Sequence, residues 1–155
     1  MSADIEARIT ELGITLPQAA APAANYVPFV ISGSHLYISG QLPMENGKVA
    51  VTGHLGDGID VATGQRAAEL CAINILAQAK AALGGDLSRI RRIVKLNGFI
   101  ASKPTFIEQH LVMNGASNLI AKVLGDAGIH ARAAVGMAAL PFNAAVEIDA
   151  VIEIA

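Results

Sequence analysis

The sequence predicts an α+β fold, in which two main helices cover one face of a single mixed β-sheet in the order β-β-α-β-α-β-β. Two observations carry the prediction. Strand-like segments frame two long segments whose apolar residues recur at helical spacing. The last segment, residues 145–154, alternates apolar and polar residues, which is typical of a strand with one buried face. At 155 residues, the chain fits a single domain, 1–155, with residues 1–20 as an N-terminal helix and connector extension.

The first half of the chain begins with a short helix over residues 4–12, which Gly13 ends. The segment "LPQAAAPAAN" at 16–25 then predicts an extended connector. Two strands, "YVPFVIS" and "HLYISG", follow, and the two residues after Ser32 form a tight hairpin turn between them. Asn46-Gly47 predicts a second turn, and "VAVTG" a third short strand.

The second half contains the clearest element, a helix that Asp60 or Thr63 caps and that Gly84-Gly85 ends. A strand, "RIVKLNGFIA", comes next. A second helix is expected over roughly 105–124, with a break near Asn114-Gly115. "RAAVGMAAL" and "AAVEIDAVIEIA" close the chain as strands, which we expect to form a hairpin around residues 141–144.

The composition indicates an oligomer. Apolar residues make up 53% of the chain and charged residues only 15%, so polar side chains are too scarce to cover a monomer's surface. The strand "AAVGMAAL" has no polar face at all and should be covered on both sides. Helices would cover one side, and a neighbouring subunit is the simplest cover for the other.

Several function classes are disfavoured. A net charge of −2, one short basic cluster at 89–95 and few aromatic residues argue against nucleic acid as a partner. A single cysteine excludes an internal disulfide and cysteine-based zinc clusters. The charged start "MSADIEARITEL" is not a signal peptide, and no apolar run is long enough to span a membrane. We therefore expect a cytoplasmic protein.

Arg132 is the first candidate for a functional role, because it lies in an apolar stretch with no acid beside it. A hairpin would place Arg132 opposite about residue 152 and Glu147 opposite about residue 137. The offset of ~16 Å would keep the two apart within one subunit. Arg132 then either binds an anion or pairs with an acid across an interface. Glu147 is either a general acid–base beside an apolar wall or a solvated charge on a strand face.

Other candidates carry weaker signals. Cys71 lies mid-helix among apolar residues, which favours a packed core thiol over a nucleophile. His54 and Asp57 lie in the glycine-rich "GHLGDG", and two such residues fall short of a metal site. His130 is expected as a surface histidine at a strand end, with a role in a pocket as the alternative.

Together these motifs resemble the RidA/YjgF family of imine/enamine deaminases, whose members are often labelled endoribonuclease L-PSP. The resemblance covers residues ~20–155. It rests on "RAAVGMAALPFNAAVEI", on "SGQLP" at 39–43, on "AANY" ending at Tyr26 and on "GGDLSRIRRIVKLNGFI". It implies a chorismate-mutase-like fold that assembles as a homotrimer, with sites between subunits and no cofactor.

The resemblance also implies roles for individual residues. Arg132 would hold the carboxylate of a 2-imino or 2-oxo acid, and Glu147 would help to activate water. Tyr26, Ser39, Gly40 and Asn114 would line the pocket. The implied reaction is hydrolysis of small imines or enamines to a 2-oxo acid and ammonia.

This chain departs from the pattern of the resemblance at several positions. Ala134 stands where many members have cysteine, and His130 stands where proline or alanine is usual. The segment around Asn114 is longer than in the deaminase proper. A non-catalytic trimer that binds a small carboxylate, and an endoribonuclease, therefore remain as alternative functions.

Overall fold

The computed structural model of the chain describes residues 2–19 and 25–155. Residues 20–24 of the expected connector, including the first two of "AANY", lie outside the described residues. The helices are α1 (Ser2–Glu11), α2 (Val61–Ala82) and α3 (Gln109–Leu124). The strands are β1 (Phe29–Ser32), β2 (His35–Gln41), β3 (Met44–Glu45), β4 (Lys48–Val49), β5 (His54–Leu55), β6 (Gly58–Ile59), β7 (Ile90–Ala101), β8 (Ala131–Met137) and β9 (Val146–Ile154).

The main sheet has five strands in the order β1-β2-β9-β7-β8. Every neighbouring pair is antiparallel except β7 and β8, which are parallel. Helices α2 and α3 pack against this sheet and against each other. The prediction of an α+β fold with one main mixed sheet is therefore confirmed. Two small two-stranded ribbons, β3–β4 and β5–β6, lie outside the main sheet, and the expected strand "VAVTG" shrinks to β4.

The predicted terminal hairpin is wrong, because β7 lies between β8 and β9. The chain leaves β8 through a short 3-10 turn at Pro141–Asn143, where Phe142 and Asn143 have positive φ angles. Backbone hydrogen bonds tie this turn to the segment before α2: the Gly53 N–H donates to Asn143, and the Ala145 N–H donates to Val51. Strand β9 is thereby directed into the centre of the sheet, away from β8.

This topology changes the register that the hairpin predicted. Arg132 is level with Leu96 of β7, which is level with Ala150 of β9. Glu147 is level with Phe99, and Phe99 with Val135. Because Cα partners in a sheet point to the same face, Arg132 and Glu147 point to opposite faces.

The ends of α2 follow the sequence closely. The Asp60 carboxylate accepts a hydrogen bond of 2.8 Å from the Thr63 N–H, which caps the helix. Hydrogen bonds from the side chain and then the backbone of Thr63 lower the pKa of Asp60. Leu83 ends the helix, and Gly84 follows with a φ of 65°. The predicted cap at Asp60 is confirmed.

Helix α3 runs unbroken through Asn114 and Gly115, so the break expected there is wrong. Gly115 lies against the backbone of Gln65 in α2, where a Cβ atom would overlap the Gln65 carbonyl. The glycine permits a close helix crossing, and the helix continues through it.

Both predicted turns are present. Ser32 pairs with His35 across the β1–β2 turn. Asn46 and Gly47, with φ angles of 53° and 77°, join β3 to β4, and both take the left-handed conformation that suits a tight hairpin.

The second face of the sheet carries no helix in the described part of the chain. In β9, the residues that face the helices are buried, whereas Glu147, Asp149, Val151 and Glu153 are only half-buried. In β8, Ala131, Ala133 and Val135 are exposed. We call this the open face of the sheet. No helix among the described residues has the length and apolar character needed to cross a membrane.

Candidate functional site

Arg132 lies in β8 on the side of the sheet that faces α3. One terminal nitrogen of its guanidinium group, Nη1, donates to Ser117 Oγ at 3.1 Å. The other, Nη2, donates to the backbone carbonyl of His110 at 3.1 Å. No described carboxylate forms an ion pair with it. The half-buried guanidinium is thus held by two neutral oxygens of α3, and its charge has no ionic partner within the described part of the chain.

His130 is hydrogen-bonded to the serine that holds Arg132. Ser117 Oγ lies 2.9 Å from His130 Nε2, and His130 Nδ1 lies 2.6 Å from the carbonyl oxygen of Gly128. His130 therefore lies at the end of a strand, as the sequence predicted, but it is half-buried and hydrogen-bonded at both ring nitrogens. The alternative, a role in a pocket, stays a prediction.

Asn114 lies on the same stripe of α3 as the two groups that hold Arg132. It comes four residues after His110 and three before Ser117, and residues at these spacings are neighbours on a helix surface. Asn114 is half-buried. The pocket-lining role that the resemblance implies for Asn114 stays a prediction.

Glu147 lies on the open face, at the irregularity where β2 and β9 shift register. Its carboxylate packs directly on the backbone of Gly40, where a Cβ atom would overlap it. Burial raises the pKa of Glu147, and the negative charge of Asp149 raises it further. The glycine in "SGQLP" is thus the residue that makes room for this carboxylate.

The segment before β1 is hydrogen-bonded to Ser39 of β2, next to Gly40. Ser39 Oγ donates to the Val27 carbonyl at 2.9 Å, and the Ser39 N–H donates to the Pro28 carbonyl at 2.9 Å. These bonds fix the segment that carries Tyr26, whose side chain is 62% exposed. Tyr26, Ser39, Gly40 and Glu147 therefore form one group along β2 and β9.

The predicted site residues, together with Ser117 and His130, fall into two groups within one chain. The first, which we call the anchor group, comprises Asn114, Ser117, His130 and Arg132. The second, which we call the acid–base group, comprises Tyr26, Ser39, Gly40 and Glu147. Strands β2 and β8 are three strand spacings apart, about 14 Å. The structure brings residues together within each group and keeps the two groups apart.

The structure also has a wide cleft, which none of the residues of the two groups lines. About 650 Å³ of space opens between the segment after α1, the β3–β4 turn and the two long helices. At its edge, Arg66 forms salt bridges with Glu45 and Glu69, so its charge is already neutralised. Neither Arg132 nor Glu147 lines the cleft. We therefore base the candidate site on the two groups and not on this cleft.

A family comparison decides the lineage of the chain. Residues 6–154 match the model of the family described as "YjgF/chorismate_mutase-like, putative endoribonuclease". The chain belongs to the YjgF family. A curated YjgF relative, Protein TCP17 of Trypanosoma cruzi, is 53% identical over 154 residues, which cover 99% of this chain and 96% of the relative.

Solved structures of YjgF proteins agree with this result. The crystal structure of the protein Atu1372, of unknown function, from Agrobacterium tumefaciens is 71% identical, with a TM-score of 0.94 over 99% of this chain and 95% of its own. RidA from the Antarctic bacterium Psychrobacter sp. PAMC 21119 is 30% identical, with a TM-score of 0.61 over 88% and 94% of the two chains. The resemblance to the RidA/YjgF family is therefore confirmed.

The remaining candidates take structural positions in this YjgF chain. Cys71 is fully buried, its thiol donates to the Val146 carbonyl at 3.6 Å, and burial raises its pKa well above the usual value. The His54 ring bonds the Ala138 carbonyl at 2.7 Å. In the described residues, no cluster of three or more metal-ligating side chains includes His54 or Asp57.

Reasoning from the sequence missed Ser117 and the His110 carbonyl, the two partners of Arg132. Helical spacing from Asn114 would have placed both on its stripe of α3. Their distance from Arg132 depends on the parallel pairing of β7 and β8, for which the sequence gives no direct signal.

Proposed function

We propose that the protein hydrolyses imines or enamines of small 2-amino acids to 2-oxo acids and ammonia, at sites shared between subunits of a homotrimer. The observation that carries the proposal is the half-buried Arg132, which has no ionic partner in the described chain. A guanidinium group held in this way can donate paired hydrogen bonds to a substrate carboxylate.

The separation of the two groups supports a shared site. Arg132 lies on the edge strand β8, and Glu147 lies two strand spacings away on β9, with its side chain on the opposite face of the sheet. No single substrate of a few carbon atoms can span these two spacings, ~10 Å, and also reach both faces of the sheet. Two copies of the chain would bring the edge strand β8 of one, with its anchor group, against the acid–base group on the open face of the next.

The proposed chemistry needs one water molecule and one proton carrier. Water adds to the carbon of the protonated C=N bond and loses a proton to Glu147, which gives a neutral tetrahedral carbinolamine. Glu147 then returns this proton to the amino nitrogen, the C–N bond breaks and ammonia leaves, and Glu147 takes up the hydroxyl proton as the C=O bond forms. The raised pKa of Glu147 suits a carboxylate that must both accept and donate a proton near neutral pH.

The test is the release of 2-oxobutanoate from freshly generated 2-iminobutanoate, corrected for the spontaneous rate. We expect Arg132→Lys to lower kcat/KM about 10- to 100-fold, because lysine keeps the charge and loses the paired donors. The matched control is Arg91→Lys, which changes an exposed arginine of β7. Equal rates for the wild type and Arg132→Lys would contradict the proposal.

A carboxylate-binding protein without catalysis is the second candidate, and Ala134 favours it, since many deaminases of the family carry cysteine there. Measurements on the same protein samples distinguish the enzyme from the binding protein. Arg132-dependent binding of 2-oxobutanoate with no acceleration of imine hydrolysis would support the binding protein. RNA cleavage that survives further purification and is independent of Arg132 would instead support an endoribonuclease.

A further inference from the structure

A chain of hydrogen bonds connects the guanidinium of Arg132 with the segment before β8. It passes from the Gly128 carbonyl to His130 Nδ1 (2.6 Å), from His130 Nε2 to Ser117 Oγ (2.9 Å), and from Ser117 Oγ to Arg132 Nη1 (3.1 Å). All three side chains are half-buried. The chain links α3, the segment before β8 and β8 itself.

The direction of each bond follows from the chemistry of the groups. The Gly128 carbonyl can only accept, so His130 Nδ1 carries a proton. In the neutral imidazole, Nε2 is then an acceptor, and the Ser117 hydroxyl donates to it. An arginine nitrogen can only donate, so Ser117 Oγ accepts from Arg132. His130 therefore turns the hydroxyl proton of Ser117 away from Arg132 and leaves a lone pair facing the guanidinium.

The Gly128 carbonyl, where these hydrogen bonds begin, is held in place by the packing of the backbone. Gly128 packs against α3, where a Cβ atom would lie 2.6 Å from the Ile120 carbonyl oxygen. The carbonyl that sets the His130 tautomer thus cannot move without moving the C-terminal part of the helix. The same helix carries Ser117, so both partners of His130 belong to one rigid support.

At the other end of these hydrogen bonds, Arg132 is still able to bind a ligand. Of its five N–H groups, one on Nη1 and one on Nη2 are held by α3. The other three, including the Nε N–H, have no hydrogen-bond partner among residues 2–19 and 25–155 and can serve a ligand, and two neighbouring donors suffice for a carboxylate. A guanidinium that is already oriented loses less conformational freedom when the ligand binds.

We propose that Ser117 and His130 are positioning residues for carboxylate recognition: His130 orients the Ser117 hydroxyl, which holds the guanidinium of Arg132. The link to carboxylates rests on the proposed function. Both ring nitrogens of His130 are engaged, so His130 acts on the ligand only through Ser117.

A double-mutant cycle tests this dependence, with 2-oxobutanoate as the probe and calorimetry at pH 8 as the measurement. We expect Ser117→Ala to weaken binding about 10-fold and His130→Ala about 3-fold, because the first removes the acceptor and the second only its orientation. The double variant should bind no more weakly than Ser117→Ala alone. Losses that multiply in the double variant would overturn the proposal.

Two further variants separate positioning from general damage. Ser117→Thr keeps the hydroxyl, so it should bind within about 3-fold of the wild type. The pair Ser34→Ala and His35→Ala, at the β1–β2 turn, removes the same residue types outside both groups and should leave binding unchanged. A Ser117→Thr variant as weak as Ser117→Ala would contradict the role of the hydroxyl.

NMR of the ligand-free protein decides the inference even if no carboxylate binds. The ¹⁵N shifts of His130 should show a protonated Nδ1 and a bare, accepting Nε2 at pH 8. Rotation of the Arg132 guanidinium should be slow in the wild type and faster in Ser117→Ala and His130→Ala. A protonated Nε2, or equal rotation in all three proteins, would refute the hydrogen-bonded chain. Failure of 2-oxobutanoate to bind the wild type would refute the proposed function instead.

Discussion

At the scale of single residues, Glu147 shows how the fold sets the chemistry of a group. Its carboxylate lies against the Gly40 backbone and is partly removed from water, and Asp149 adds a second negative charge two residues away on the same face. Both effects disfavour the ionised form and raise the pKa of Glu147. Asp149 itself accepts a hydrogen bond of 2.7 Å from Asn97 and is thereby kept in place.

The raised pKa predicts how stability depends on pH. A carboxyl group whose pKa is higher in the folded state stabilises the fold fully below the unfolded value of about 4.5, and loses this contribution as pH rises through the folded value. Glu147→Gln mimics the protonated form. We expect it to raise Tm by about 1–3 °C at pH 7, and the gain to vanish toward pH 4.

Thermal unfolding of both proteins between pH 4 and pH 8 provides the measurement. Glu11→Gln, which removes the same charge from an exposed position in α1, is the matched control. A difference in Tm between Glu147→Gln and the wild type that stays constant over this range would contradict the expectation.

At the scale of elements, the crossing of α2 and α3 positions the anchor group. Helix α3 carries Ser117 and the His110 carbonyl, so the orientation of Arg132 depends on where this helix lies. Gly115 determines the position of α3, because the absence of a side chain lets this helix approach the backbone of Gln65. The contact involves backbone atoms of α2, which cannot rotate away as a side chain would.

Gly115→Ala is therefore predicted to force the two helices apart. We expect a loss of stability of about 2–3 kcal/mol, or a Tm lower by about 4–10 °C, because overpacking against backbone leaves little room for relaxation. Chemical denaturation gives the free energy of unfolding. The control is Asn118→Ala, which changes an exposed residue of the same helix and should keep the free energy of unfolding within about 0.5 kcal/mol of the wild type. Equal stabilities for the two variants would refute the role of Gly115.

At the scale of the whole molecule, the open face has the apolar character of an interface. Val30, Tyr37 and Val135 are large apolar residues on this face, and each is more than 40% exposed in the single chain. Patches of this kind on soluble proteins mark sites of association. The proposed trimer would cover them.

Val135→Asp tests the assembly. We expect the wild type to sediment with three times the chain mass of 15.9 kDa, and the variant to dissociate, since a carboxylate buried in an apolar contact costs several kcal/mol. Analytical ultracentrifugation provides the masses. The control is Ile107→Asp, at an exposed loop position. A monomeric wild type, or a Val135→Asp variant that stays trimeric, would contradict the proposal.

The sequence was most informative where local chemistry decides the structure. The Asp60 cap, the Asn46-Gly47 turn and the alternation of β9 all depend on near neighbours, and the structure confirms each. The hairpin between β8 and β9 failed because strand pairing depends on contacts that are distant in sequence. The tie between Asn143 and Gly53, which redirects the chain, joins segments 90 residues apart.

The residues of the candidate site also differ in whether the sequence alone could identify them. Arg132 and Glu147 were identifiable as charges in apolar strands, and Gly40 through its motif. Ser117 was not, because a serine in a helix has no distinctive pattern alone, and His130 was singled out only as a strand-end histidine with a role in a pocket as the alternative. Their role becomes visible only when β8 lies beside α3.

The placement of Arg132 and Glu147 two strand spacings apart, on opposite faces of the sheet, has a genetic consequence. If every pocket combines the arginine of one copy with the glutamate of its neighbour, two differently disabled chains can repair each other. Co-refolding Arg132→Ala with Glu147→Gln in equal amounts would restore roughly a quarter of the pockets, while each variant alone stays inactive. An enzyme with both residues in the same pocket of one copy would show no such rescue.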